Sequence, residues 1–298
     1  MNPFANSLKT WTLMAALAGL LVAVGGILGG TGGLVTALVL ALGLNAFVYW
    51  KSDTLALRAN GARELGPNEL PDLRRIVADL AARSGLPMPR LYIVDRPEPN
   101  AFATGRDPGH AAVAVTTGLL AIAGERELRG VLAHELSHVR NRDTLIGAVA
   151  ATIGGAISFL AQMAQFQMIF GGGDDERGGN PLALLAGIIL APLAALVIQL
   201  AVSRSREYAA DTSAARLTGD PEGLASALER IDVASRQLSP GRFGRAAAPA
   251  PALNPAFAHL YIASPLRGGD VSRLFSTHPA IEDRVARLRG MTRRGALR

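Results

Sequence analysis

The chain has 298 residues, of which 49% are hydrophobic and 18% charged, and its formal net charge is +6. A basic chain this apolar favours an anionic membrane surface over nucleic acid as its partner, and aromatic residues, at 5%, are too few for stacking on bases. The lack of cysteine excludes disulfides, thiolate nucleophiles and cysteine-type zinc sites. Any metal site must therefore use histidine and carboxylate ligands.

Uncharged runs divide the chain at residues 10–50, 144–173 and 178–203. A membrane-spanning helix needs about 20 apolar residues, so the first run has room for two helices, and its glycine-rich segment at 25–33 predicts a turn between them. A cleaved signal peptide is the alternative for the first run, and a buried core helix for the second. We expect four transmembrane helices, at about 11–28, 33–50, 146–169 and 182–202.

Basic residues lie close to the ends of these apolar segments, and none lies in the glycine-rich turn. Basic loops remain on the cytoplasmic side of a membrane. Both termini and both polar parts of the chain are therefore predicted to be cytoplasmic, in a multi-pass membrane protein. The basic residues that carry this inference are Lys51, Arg58, Arg140, Arg142, Arg204 and Arg206.

The segment HELSH carries two histidines, His134 and His138, with Glu135 after the first. On a helix, residues four apart share a face and lie about 6 Å apart along the axis, so both imidazoles can bind one ion. Zinc with an open fourth position fits this pattern, and Glu135 can then act as general base on a water molecule. The apolar periodicity of ERELRGVLAHELSHVRNR predicts the helix. The alternative is an ordinary helix with two surface histidines.

A third ligand must come from elsewhere in the chain. The carboxylate candidate is Glu207, in the helical pattern SRSREYAADTSAARLTG, and the histidine candidates are His110, His259 and His278. Spacing alone does not separate Glu207 from His278. Asp211 follows Glu207 by one helical turn and is placed to hydrogen-bond a ligand imidazole, although both acids can instead belong to a solvated charged face.

Four segments together resemble the HtpX-type membrane metalloproteases, which are relatives of the CAAX prenyl-protein endopeptidases. These segments are AHELSHVRNRDTL, SRSREYAADTSAARLTG, NAFATG and FSTHPAIEDRVARL. The resemblance covers nearly the whole chain. It implies a mainly α membrane protein with four transmembrane helices and a cytosolic α+β, zincin-like catalytic domain, in which a small sheet lies beside the HExxH helix.

The resemblance also implies which residues form the site. It implies one zinc ion per chain, bound by His134, His138 and Glu207, with Glu135 as general base and Asp211 supporting a ligand. Three further roles follow from the same resemblance: oxyanion stabilisation by His278, orientation of the site by Arg284, and contact with the substrate backbone by Asn100. For STHP the alternative is a helix start, and for NAFATG it is a strand that ends in a turn at Gly105.

The implied function is that of an inner-membrane zinc endopeptidase in protein quality control and stress response, acting on membrane or misfolded proteins beside the lipid bilayer. The alternating stretch AAVAVTTGLL, at 111–120, predicts a strand before the metal helix. In proteases of this kind an edge strand receives the substrate, and we expect this strand to be that edge. The alternatives are a metal-dependent esterase or amidase, and a membrane scaffold with structural zinc.

The predicted ligands lie on both sides of the last two apolar segments, so the metal would join the two ends of a second hairpin. The alanine- and proline-rich segment 238–257 predicts a connector or lid. The predicted organisation is an N-terminal transmembrane hairpin, a first catalytic part, a second transmembrane hairpin and a second catalytic part, at residues 1–50, 51–144, 145–203 and 204–298.

Overall fold

The computed structural model describes residues 3–146, 149, 204–238 and 279–293. Several predicted features lie wholly or almost wholly outside this part of the chain: the helices at 146–169 and 182–202, the segment 238–257, and His278.

The N-terminal apolar segment forms one long helical element, α1 (Pro3–Ala59), which folds back on itself. Gly30 has a φ of 54°, in the left-handed region that glycine enters without steric cost. This residue lies inside the predicted turn at 25–33. The two halves of α1 lie against each other, since the Asn45 side-chain amide donates to the Met14 carbonyl over 3.1 Å.

The second half of α1, from Gly30 to Ala59, is the one helix in the described part of the chain that is long and apolar enough to cross a membrane. Large apolar side chains along it are exposed, Val39 by 64% and Leu40 by 65%. A continuous exposed apolar surface of this kind requires cover from lipid or from another protein. The exposed apolar residues of this half are Leu34, Val35, Leu38, Val39, Leu40, Leu42, Leu44, Phe47 and Trp50.

A small mixed sheet follows, and the prediction of such a sheet beside the HExxH helix is confirmed. The strand order is β1-β2-β4-β3. The β2–β4 pair is parallel, and the β1–β2 and β3–β4 pairs are antiparallel. The strands are β1 (Ala62–Glu64), β2 (Arg90–Val94), β3 (Ala101–Thr104) and β4 (Ala112–Thr116).

The predicted strand at 111–120 is present in part, but its predicted place in the sheet is wrong. It ends at Thr116, because the Thr116 hydroxyl accepts from the Leu119 amide over 3.1 Å and starts helix α3 (Thr117–Ile122). Strand β4 lies between β2 and β3, and all five of its residues are buried. The edge beside the metal helix is instead β3, which the segment NAFATG forms.

Helix α4 (Glu125–Asn141), which carries the HELSH segment and is the metal helix, lies at the centre of the domain. It contacts β3 and three other helices of the domain. It confirms the helix predicted around HELSH. Its apolar face packs into the main core through Leu128, Val131, Leu132, Leu136 and Val139. The helices are α2 (Pro71–Ser84), α4 (Glu125–Asn141), α5 (Arg204–Thr218), α6 (Pro221–Leu238) and α7 (Ile281–Arg293).

Helices α4 and α6 approach most closely at Gly130. A Cβ at this position would lie 2.7 Å from the amide nitrogen of Leu224 and 2.9 Å from its Cα. Gly223 makes the reciprocal approach, since a Cβ there would lie 2.9 Å from the carbonyl oxygen of Arg126. The two glycines therefore set the distance between the metal helix and α6.

The variant Gly130→Ala is expected to lower the free energy of unfolding by about 1–3 kcal/mol, because the added methyl group would clash with backbone atoms that cannot rotate away. Gly290→Ala in α7 is the matched control: beyond its own helix backbone, no atom of the described residues lies within 4 Å of its added Cβ, so the change is expected to stabilise by about 0.5–1 kcal/mol. Thermal unfolding in detergent, followed by circular dichroism, measures both. Equal shifts in Tm for the two variants would contradict the close approach of α4 and α6.

Candidate metal centre

Three buried or half-buried side chains converge where α4 packs on α5. The Nε2 atoms of His134 and His138 lie 3.2 Å apart, and each lies 3.5 Å from a carboxylate oxygen of Glu207. Ligands about 2.0–2.2 Å from a tetrahedral zinc ion lie about 3.3–3.6 Å from one another. The donor atoms of this cluster therefore fit a single zinc ion.

The helix geometry explains how the histidines reach one point. They are four residues apart on α4, and their ring centroids lie 4.8 Å apart with an interplanar angle of 86°. Both Nε2 atoms face Glu207, in the first turn of α5. Two ring nitrogens that face each other with lone pairs repel, so a cation between them and the carboxylate stabilises the arrangement.

His134 is supported by a buried carboxylate and a buried guanidinium. The Asp211 Oδ1 atom lies 3.0 Å from His134 Nδ1. Arg284 holds this carboxylate with two hydrogen bonds, from Nε to Oδ2 over 2.9 Å and from Nη2 to Oδ1 over 2.7 Å. Such a forked pair fixes both position and plane, and Arg284 is completely buried. Asp211 thus lies in direct contact with His134, and Arg284 lies beside the cluster through its contact with Asp211.

His138 has a corresponding partner that the sequence pattern does not single out. Asp143 Oδ2 lies 3.1 Å from His138 Nδ1. Helix α4 ends at Asn141, and Arg142 takes a left-handed conformation with φ of 58° that turns the chain. The acid then lies beside the last turn of the helix. The sequence shows only an aspartate two residues past the end of a metal-binding helix. Its contact with His138 follows from the turn at Arg142, which the sequence pattern does not predict.

The charges around His134 favour a cation in the cluster. Burial lowers the pKa of His134, but its hydrogen bonds with Asp211 and Glu207 outweigh burial and raise the pKa to about 9. Burial raises the pKa of Asp211, but Arg284 and His134 outweigh it and lower this pKa to about 2. Carboxylates that stabilise a protonated imidazole also stabilise a metal ion at the same place.

The Glu135 side chain extends from the metal helix to the edge strand. Its Oε2 atom accepts a hydrogen bond from the backbone amide of Ala103, in β3, over 2.9 Å. Burial raises the pKa of the Glu135 carboxyl above its ordinary value. A carboxylate with a raised pKa is suited to exchange protons near neutral pH.

Two other predicted residues have defined positions. Asn100 directly precedes β3 and is buried; its backbone amide donates to the Thr116 hydroxyl over 2.8 Å. His110 is exposed and contacts Asp107 over 2.9 Å, so it is not part of the cluster. Among the histidines that the structure describes, only those of the HELSH segment join the site.

Comparison with known proteins gives a consistent result. Residues 67–292 match Peptidase family M48. Two relatives, each named Protease HtpX homolog, come from Ralstonia pickettii (strain 12J) and Paraburkholderia phytofirmans (strain DSM 17436 / LMG 22146 / PsJN). They are 52% and 50% identical over 291 residues, and each alignment covers 97% of this chain and 98% of the relative. The crystal structure of S. mikatae Ste24p aligns with a TM-score of 0.49 and 18% identity, over 96% of this chain and 65% of that one.

The variant Glu207→Ala is expected to lose most of its bound zinc, because it removes the only carboxylate in the three-ligand cluster. Metal analysis of purified protein, with the wild type alongside, measures the zinc content per chain. Glu64→Ala removes a carboxylate at the surface of β1 and serves as the control. Full zinc retention by Glu207→Ala would show that the third ligand lies elsewhere.

The variants Asp143→Asn and Asp211→Asn are each expected to weaken zinc binding by about 10- to 100-fold, because an amide no longer fixes the tautomer and direction of a ligand imidazole. Competition with a chromogenic chelator measures the affinity. Asp72→Asn is the control, since its side chain is 88% exposed on α2. If Asp143→Asn bound zinc as tightly as this control, the role of Asp143 would be disproved.

Proposed function

Because the chain belongs to peptidase family M48, we propose that His134, His138 and Glu207 bind one zinc ion and that Glu135 is the general base for peptide-bond hydrolysis. The convergence of the three ligand atoms within 4.8 Å of one another carries the proposal. Three ligands converge among the residues that the structure describes, which is the number of protein ligands found in catalytic zinc sites, whereas structural sites have four. Membership of a peptidase family also favours peptide-bond hydrolysis over the two alternatives, a metal-dependent esterase or amidase and a scaffold with structural zinc.

Zinc in such a site supplies a Lewis acid that polarises the substrate carbonyl and activates water. The remaining work falls to residues of this chain. Glu135 takes a proton from the attacking water and passes it to the leaving amine. The raised pKa of Glu135 suits both transfers, because the carboxyl can be protonated and deprotonated within one reaction cycle.

Four further side chains support this chemistry. Asp211 and Asp143 keep each ligand imidazole in the tautomer that presents Nε2 to the metal. Arg284 holds Asp211 in place through its two hydrogen bonds. His278 remains, from the family resemblance, our proposed donor to the developing oxyanion.

We further propose that the substrate adds to β3 in extended form. This strand lies at the edge of the sheet, and its Ala103 amide donates to Glu135, so the edge passes directly beside the general base. Backbone pairing binds a peptide with little dependence on its side chains. Asn100, immediately before the strand, remains our proposed contact with the substrate backbone, from the family resemblance.

The proposed location is the inner membrane, with four transmembrane helices and with both termini and the catalytic parts in the cytoplasm. The exposed apolar surface of the second half of α1 supports membrane insertion. Basic residues near the ends of the apolar segments support the orientation. In this proposed location the site would act on membrane proteins and misfolded chains near the bilayer, and hence in quality control.

The variant Glu135→Gln is expected to lower kcat/KM for an unfolded protein substrate such as casein by about 10²- to 10⁴-fold, the usual contribution of general acid–base catalysis. Its zinc content should stay near that of the wild type, because Glu135 is not among the three ligands. Glu282→Gln is the control, since its side chain is 73% exposed on α7. A zinc-loaded Glu135→Gln protein that cleaved at the wild-type rate would rule out this mechanism.

A further inference from the structure

Two adjoining cavities lie between the base of α1 and the end of the metal helix. The larger has a volume of about 440 Å³, and Ser7, Pro108, Arg140 and Arg142 are among its lining residues. The smaller, of about 50 Å³, shares Ser7 and Arg142 and adds Arg106. We call the pair the arginine cavity, after Arg106, Arg140 and Arg142.

The positive charge of this cavity is largely uncompensated. Arg140 and Arg142 are exposed, and neither side chain forms an ion pair with any residue that the structure describes. Arg106 contacts Asp107 over 3.5 Å, and this acid also contacts His110.

The other nearby acid, Asp143, follows Arg142 in the chain, but its carboxylate contacts His138. Two guanidinium groups are therefore available for an anion. A guanidinium matches the paired oxygens of a phosphate and binds them through parallel hydrogen bonds.

Aromatic residues of the kind found at the membrane–water interface line the cavity. Trp11 and Tyr49 line its smaller part, and their rings stack with centroids 5.8 Å apart. Trp50 is adjacent and, like Trp11, is 57% exposed. Tryptophan and tyrosine collect at the membrane–water interface. Leu145, which also lines the smaller part, directly precedes the third predicted transmembrane helix.

We propose that the arginine cavity binds the phosphate of an anionic phospholipid from the cytoplasmic leaflet. The net positive charge selects an anionic lipid over a zwitterionic one, whose choline cation would face the arginines. Basic pockets beside membrane helices bind anionic headgroups through this balance of charge. The inference rests on the proposed insertion of α1 into the membrane and does not depend on the peptidase reaction.

A lipid bound here also contacts the turn that completes the metal site. Arg142 ends α4 in a left-handed conformation, and the next residue, Asp143, contacts the ligand His138. A phosphate on the Arg142 side chain therefore restrains this turn from its outer side. The cavity connects the membrane surface with the end of the metal helix.

The chain contains two tryptophans, so Trp50→Phe leaves Trp11, which lines the cavity, as the only fluorescent indole. The full-length Trp50→Phe protein, in a non-ionic detergent, is titrated with phosphatidylglycerol or phosphatidylcholine that carries a quencher near the headgroup. We expect phosphatidylglycerol to quench Trp11 at lower concentration. The double variant Arg140→Gln, Arg142→Gln should raise the phosphatidylglycerol concentration at half-maximal quenching, the midpoint, by about fivefold for each arginine removed. Equal midpoints for the two lipids would overturn the proposal.

The matched control pair is Lys51→Gln with Arg216→Gln. It removes the same charge, and Lys51 lies next to Trp50 at the level of the aromatic residues, but neither residue lines the cavity. We expect this pair to leave the phosphatidylglycerol midpoint unchanged. If both pairs raised the midpoint equally, general surface charge would explain binding and the site would be disproved.

Competition with inorganic phosphate distinguishes a site for phospholipid from a site for free phosphate. Millimolar phosphate should not displace phosphatidylglycerol, and complete displacement would overturn the lipid assignment. Thermal unfolding checks each variant; if the double arginine variant does not fold, Arg140→Gln alone carries the test with an expected fivefold effect. Carbonate extraction tests membrane insertion separately. A protein that resists extraction yet shows no preference for phosphatidylglycerol would overturn this inference alone.

Discussion

The packing of α5 on α4 is the constraint on which the site depends. Glu207 must bring one carboxylate oxygen to 3.5 Å from each Nε2 atom, although more than sixty residues separate it from the metal helix in the chain. The face of α5 that is buried carries alanines, Ala210, Ala214 and Ala215, which are fully buried. Small side chains let two helix axes approach closely, so the short carboxylate arm reaches the histidines without distortion.

The same packing buries charged side chains, and each of them needs a partner of opposite charge. A charge removed from water is costly unless a partner of opposite charge compensates it. Arg284, Asp211 and His134 form a continuous series of such contacts, with distances of 2.7 and 3.0 Å between successive partners. Helix α7 is therefore tied to the metal helix through the acid on α5. Loss of Asp211, the shared partner, leaves the Arg284 guanidinium without its forked carboxylate partner in the core, which couples the stability of the domain to the order of its site.

The metal helix also links the site to the membrane-facing part of the molecule. Its N-terminal half packs against α6 at Gly130, its C-terminal half carries His134 and His138, and its end lies beside the N-terminal part of α1. The helix ends at a left-handed residue, Arg142, because the chain must turn there to bring Asp143 back to His138. One helix thus provides the close contact with α6, the two histidines of the cluster and the turn that leads into the next apolar segment.

Local periodicity determined much of this protein from sequence alone: the metal helix, the shared face of the two histidines, the spacing of Glu207 and Asp211, and the glycine turn in α1. These features depend on residues that are close together in the chain, and the spacing of such residues predicts them directly. Spacing left Glu207 and His278 equivalent as ligands, did not reveal Asp143, and suggested the wrong strand as the sheet edge. Only the tertiary structure shows Glu207 beside the two imidazoles, Asp143 beside His138 and β3 at the sheet edge. The physical reason is that a strand alternates in the same way at an edge and in the middle, and that a distant carboxylate reaches the imidazoles only when another helix brings it there.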